Sequence, residues 1–187
     1  NTMDNKKSVS SDEWEKVVNK SKSPKMDKTQ YKKDLTFGLK NEKLSFKHIR
    51  KFLKEYLKED IKVIKFNNPK SIFDFKVLGK PYYIELKSRR NDINKYDTQL
   101  IGANKVRYGR TLKEKNKDTK IFYFYLLEEE FLGKTIKKLY MFLDNNEELK
   151  IKHCGNYKRN DKTSELMLIQ NKQLHYCASF EGLTISS

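Results

Sequence analysis

The segment Ile121 to Leu127, IFYFYLL, sets bulky apolar residues in an unbroken row. A strand turns successive side chains to opposite faces, so such a row is sheltered only in the middle of a sheet that is covered on both sides. This is expected of a central strand, and the order of the other elements, helix, strand, strand, strand, helix, strand, strand, suggests the α/β class, a mixed β-sheet flanked by helices.

The remaining elements can be read around that strand. From Asn41 onward, Glu42, Phe46, Ile49, Phe52, Leu53, Tyr56 and Leu57 recur at helical spacing and predict a first helix. Ile61 to Phe66 alternates apolar and basic residues like a strand and is broken by Asn67-Asn68-Pro69. A second strand, Ser71 to Leu78, meets the turn signal Gly79-Lys80-Pro81 before Tyr82 to Lys87 returns as a third, which predicts a hairpin. Asp97 or Thr98 is placed to cap a second helix running to Arg107 or Tyr108, with Gly109 as its stop. Beyond the central strand, Lys138 to Leu143 predicts a shorter one, and Leu149 to His153 and Glu165 to Ile169 give weaker strand patterns. Gln173 to Phe180 stays ambiguous.

The length of 187 residues suits one domain. Residues 1–33, rich in Lys, Ser and Asp, are expected to form a basic, flexible tail ahead of a domain spanning 34–187. Within the tail, Trp14, Val17 and Val18 form a short apolar patch. It either docks on the domain or on another protein as a short helix, or remains a solitary aromatic in a loose arm.

The formal net charge of +16 creates a field that attracts polyanions, which makes nucleic acid the expected partner. The same lysine excess follows from codon usage in an AT-rich genome, so charge alone selects nothing. No apolar run approaches the length of a membrane span and no secretory signal is visible, so an intracellular protein of the cytoplasm or nucleus, with no membrane partner, is expected. Cys154 and Cys177 are too few for a disulfide scaffold and read as buried thiols. With His153 and His175 beside them a zinc site can be drawn, but the spacing of known zinc motifs is missing.

The chemistry concentrates in the hairpin. Glu85 and Lys87 are two apart on a strand and share a face, while Leu86 points to the other. Asp74, on the partner arm, joins them if the register is right. Two carboxylates suit Mg²⁺, a hard ion that keeps waters able to attack a phosphodiester, and a neighbouring lysine can deprotonate that water if the metal's charge lowers its pKa, or orient it as a positive clamp.

With these residues, IFDFKVLGKPYYIELKSRR resembles the motif region of the PD-(D/E)XK nuclease superfamily, which includes restriction endonucleases and Holliday-junction resolvases. The resemblance covers residues 41 to 127 and implies a restriction-endonuclease-like core of a helix, a three-strand antiparallel meander, a second helix and a further strand. It implies Mg²⁺-dependent hydrolysis of DNA, with Mn²⁺ able to substitute, and metal held by Asp74, Glu85, the Leu86 backbone carbonyl and Glu42. Lys87 would act on water and Gln99 would orient substrate. For Glu42 the alternative is a solvated place in the first turn, and for Gln99 a polar residue meeting water. Ser88, Arg89, Arg90, Lys105, Arg107, Tyr108 and Arg110 are candidate nucleic-acid contacts, each with a solvated-surface alternative. His48 lies off the Glu42 stripe and is expected to be exposed. Phe73 precedes Asp74 where the motif has proline, a departure that puts the alignment of the first arm in doubt. An RNA endonuclease and a silent nucleic-acid-binding module of the same fold remain open, as does a homodimer.

Overall fold

The computed structural model of the chain describes residues 28–68, 70–154 and 164–181. In chain order the elements are α1 (Lys28–Leu57), β1 (Val63–Lys65), β2 (Phe75–Val77), β3 (Tyr82–Ser88), β4 (Thr98–Gly102), α2 (Ala103–Lys115), β5 (Lys120–Phe131), β6 (Lys134–Leu143), β7 (Ile151–Cys154), β8 (Ser164–Gln170) and β9 (His175–Glu181), with a 3₁₀ turn at Asn171–Gln173. Trp14 and most of the expected tail, together with Pro69, lie outside the described residues.

The row at Ile121–Leu127 is buried throughout and lies within β5, in the interior of a six-stranded mixed sheet of order β1-β2-β3-β5-β6-β9. β3 pairs with β5 in parallel, and the neighbouring pairs on either side are antiparallel. Each face of β5 has its own cover. Phe122, Phe124 and Leu126 join Ile84, Leu86, Phe75 and Val77 beneath α1, which contributes Ile49 and Leu53 at full burial. On the reverse side, Ile121, Tyr123, Tyr125 and Leu127 pack with Ala103 and Val106 of α2, and with Ile101, Met167 and Ile169 of a second sheet of order β4-β8-β7. The chain is thus an α/β protein with a mixed six-strand sheet, a three-strand sheet and two helices among the described residues.

Two tight turns hold the antiparallel pairs. Gly79, at φ 74°, supplies the left-handed residue between β2 and β3, where the Lys80 amide donates to the Val77 carbonyl at 3.3 Å. Between β5 and β6, Leu132 and Gly133 both take positive φ (50° and 74°), the pairing that matches strand twist in a two-residue hairpin.

Three expectations need correction. α1 begins at Lys28, well upstream of Asn41, so the last residues assigned to the tail belong to the helix. Leu35 and Leu39 in its first half are exposed, which leaves no buried stripe for periodicity to reveal. Residues 98–102 form a strand, and α2 starts only at Ala103. The segment alternates half-buried and buried side chains against β8, a partner too distant in sequence to leave a local signal. Gly109 does not end α2, which continues to Lys115. It is buried where the helix crosses β5, and a Cβ there would come within 3.1 Å of Ile121 Cγ1, so the small residue answers a packing need. The ambiguous stretch after Gln170 resolves into the 3₁₀ turn and edge strand β9. Among the described residues no helix is long and apolar enough to cross a membrane.

Gly109→Val should overpack the α2–β5 contact and cost roughly 1–3 kcal/mol. A lower urea midpoint at unchanged slope is the expected result, and a variant as stable as the parent would contradict this contact.

Candidate active site

The register of the β2–β3 hairpin decides which side chains meet. Phe75 lies opposite Ile84 and Lys76 opposite Tyr83, and Asp74, just before this ladder, meets β3 on either side of Glu85, through Ile84 and Leu86. Asp74 precedes the first residue of β2, yet its backbone is tied on both sides: its amide donates to the Ile84 carbonyl and its own carbonyl accepts from the Phe66 amide, each at 3.0 Å. Its carboxylate Oδ2 accepts from the Leu86 amide at 2.8 Å, a bond that orients the side chain across β3. Phe73, in the place of the motif's proline, is buried against Tyr83 and Tyr108, with ring centroids 5.5 and 5.9 Å away, and anchors the bend from beneath.

Glu85 is the most enclosed acid of the site, with a side chain only 2 % exposed. Its Oε1 takes two ammonium groups: Lys87 Nζ at 3.0 Å from the same strand face, and Lys105 Nζ from α2. Lys105 also donates to the Ile72 carbonyl at 2.9 Å, which fastens α2 to the bend carrying Asp74. Glu85 Oε2 is buried without a hydrogen-bond partner among the described residues.

These positions set the charges. Burial works against ionising Glu85, but Lys87 and Lys105 outweigh it and hold the carboxyl below the usual range. Asp74 has no such pair. Burial first, and then the Glu85 charge, raise it to about 7, against the opposing pull of the Leu86 amide and Lys105, while Glu42 adds a further upward push. Lys105 is lowered chiefly by burial. The two acids thus differ in kind: one is fixed as an anion, and the other changes charge near neutrality.

The other predicted residues are dispersed. Glu42 reaches Asp74 only electrostatically; its Oε2 pairs with Lys65 at 2.6 Å, and it lines a groove with Leu39, Lys43 and Phe46. Gln99, expected on the second helix, is buried on β4 and donates to Asn171 Oδ1 at 3.2 Å, while Asn171 holds the loop carbonyls of Ile93 and Tyr96. Its contact is with the small sheet because residues 98–102 took the strand form. Arg107 pairs with Glu165 at 2.6 Å, and Arg110 holds the buried Asp144 at 3.1 Å together with Lys113. Tyr108 packs on Phe73. Ser88 is half-buried at the end of β3, with Arg89 Nη1 donating to its carbonyl at 3.1 Å. Arg90 lies over the Phe37 ring, 4.1 Å from its centroid. Leu86 enters the site through its amide.

His48 is not free on the surface but stacks on Phe180 at 4.1 Å, and burial together with Lys47 and Lys51 lowers its pKa. Burial pushes the Cys177 thiol up to about 12. Lys105 is the residue whose place sequence reasoning missed, having set it among phosphate contacts. Its one signal was a spacing of four from Gly109, which puts both on the helix face turned to the sheet.

Among the described residues no group of three or more His, Cys, Asp or Glu converges so as to hold a metal ion. Asp74 and Glu85 are near enough for the Glu85 charge to raise Asp74. Comparison of the chain with protein-family models, with curated proteins and with solved structures found no match to any of them.

Because Asp74 is raised above its unfolded value of 3.8, it favours the fold while protonated, and that contribution is lost as pH rises toward about 7. Asp74→Asn removes this dependence. Without divalent metal, the stability of the variant relative to the parent should therefore climb between about pH 4 and 7 and level off above; urea titrations giving a pH-independent difference would overturn this assignment.

Proposed function

We propose that this chain is a Mg²⁺-dependent nuclease of the PD-(D/E)XK type that hydrolyses phosphodiester bonds in DNA. The observation that carries the reading is the place of Asp74 beside Glu85, its amide bonded to Ile84 and its carboxylate to Leu86, with Lys87 paired to Glu85 on the same strand. Support from the fold is the order of α1, the antiparallel β1-β2-β3 meander, α2 and the parallel strand β5, as the resemblance implies, with β4 as an addition.

The donor set suits the ion. Asp74 and Glu85 present carboxylate oxygens, and the buried Glu85 Oε2 has no other partner among the described residues. Asp74, Glu85 and the Leu86 carbonyl would hold Mg²⁺, or Mn²⁺ in its place, and Glu42, whose charge already acts on Asp74, would support it from α1. When bound, the ion supplies Lewis-acid stabilisation of the phosphate and a water of lowered pKa.

The chain's own residues do the rest. Glu85 stays ionised at working pH because two ammonium groups hold it so. Lys87 places a proton donor and a positive charge where negative charge develops on the phosphate. Leu86 fixes the Asp74 carboxylate by its amide, so that the two acids keep one geometry. Arg89 and Arg90, which follow β3, extend positive charge from the site along a polyanion. DNA is favoured through the resemblance; the net charge of +16 supports binding of either nucleic acid.

A binding module without turnover is the second reading, favoured by the saturation of Glu85 Oε1 by Lys87 and Lys105. Labelled single-stranded, duplex and branched DNA, and RNA, incubated with the full chain and Mg²⁺ or Mn²⁺, separate these readings. Cleavage of DNA is expected, and Glu85→Ala or Lys87→Ala should reduce it by about 10²- to 10⁴-fold. Salt-sensitive binding with no cleavage of any substrate would establish the second reading, RNA-only cleavage would shift the substrate, and cleavage indifferent to both substitutions would discard the site.

A further inference from the structure

Lys105 is paired with one acid of the site and acts through its charge on the other. Its Nζ bonds Glu85 Oε1 and the Ile72 carbonyl, the latter at 2.9 Å, and its charge acts on Asp74 as well as on Glu85. Lys87 satisfies the same Oε1 at 3.0 Å, so the carboxylate carries two ammonium groups on one oxygen and none on the other. Lys87 belongs to the strand that bears Glu85, at a fixed offset of two residues. Lys105 comes from a different element, α2, and has a second acceptor, Ile72, on the bend leading to Asp74.

A divalent ion brought to Glu85 and Asp74 meets that ammonium at close range. Like charges sharing one carboxylate in a buried setting repel strongly, and the pair cannot hold both at full strength. We propose that Lys105 is the resident counter-ion of the acid pair, and that a divalent metal takes Glu85 and Asp74 by displacing its ammonium. This rests on the metal-dependent reading above and adds to it a competitor built into the fold. Lys105 is a positioning residue: in the metal-free chain it neutralises the pair and fastens α2 to the bend, and in doing so it sets a threshold for metal.

The test compares Mn²⁺ affinity of the full chain by calorimetry, without nucleic acid and at pH 8.5, above the value of about 7 to which Asp74 is raised in the parent. Lys105→Met and Lys105→Gln should bind Mn²⁺ about tenfold more tightly than the parent, within the span usual for coupled sites, while Lys105→Arg, which keeps the charge, should stay near the parent. Affinity unchanged or weakened in the two neutral variants overturns the proposal, since a merely structural lysine would not oppose the metal. A second measurement needs no variant: the Lys105 ¹⁵Nζ resonance of the unaltered chain should move on Mg²⁺ titration with the same half-saturation as metal binding. A resonance that does not move overturns displacement even if the neutral variants fail to fold. Metal-dependent cleavage by the parent with equal Mn²⁺ affinity in all variants leaves the nuclease reading standing and removes this one; no Mn²⁺ binding by any of them removes both.

Discussion

A carboxylate sealed inside a protein has to be matched by charge, and the pairing of Glu85 with Lys87 and Lys105 is the constraint around which the rest of this chain is arranged. Glu85 projects from β3, an interior strand, onto the face covered by α2. One cation comes with the strand itself. The other requires that α2 lie across the sheet at a particular height, and Gly109 gives the helix the close approach to Ile121 that this height demands. Farther along the same helix, Arg110 and Lys113 grip the buried Asp144 at the end of β6 and fix its other end. Electrostatic and steric demands on α2 thus agree, which is how a burial that is unfavourable in isolation becomes part of a stable packing.

Alternation along β3 separates support from chemistry. Ile84 and Leu86 face α1 and belong to the aliphatic and aromatic core beneath it, while Glu85 and Lys87 face the other way. The division extends to the β2 arm, where Phe75 and Val77 join the α1 core and Asp74, bonded to β3 on either side of Glu85, does not. A one-residue slip of the hairpin would therefore exchange core for site, and the burial of Phe75, Val77 and Ile84 is what keeps the acids together.

The features legible in the sequence were those with local causes. IFYFYLL announced an interior strand because no other setting hides both its faces, and the Gly79 turn announced the hairpin and with it the proximity of Asp74 to Glu85. Ile49 and Leu53 gave away the covered half of α1, whereas its first half, with Leu35 and Leu39 exposed, carried no stripe to detect. Residues 98–102 read as the start of a helix, because Gln99, Gly102, Ala103 and Val106 fit a helical stripe, and the strand form of β4 was set by β8, far along the chain. The same cause explains Gln99 bonding to Asn171, and Arg107 and Arg110 bonding to Glu165 and Asp144, since acids so remote leave no mark near those residues. Lys105 was visible as a basic residue but not as a partner of Glu85, because the crossover that joins them is a tertiary fact.

The parallel pairing of β3 with β5 has a bearing on cooperativity. Antiparallel neighbours such as β2 and β3 are closed by a short turn, at small entropic cost, and that closure brings Asp74 beside the strand segment that bears Glu85. The ammonium that relieves them from α2 arrives only with the long crossover between β3 and β5. The hairpin supplies Lys87 to Glu85 but leaves the second ammonium to α2, so its local structure and the distant docking of α2 reinforce each other as parts of one transition.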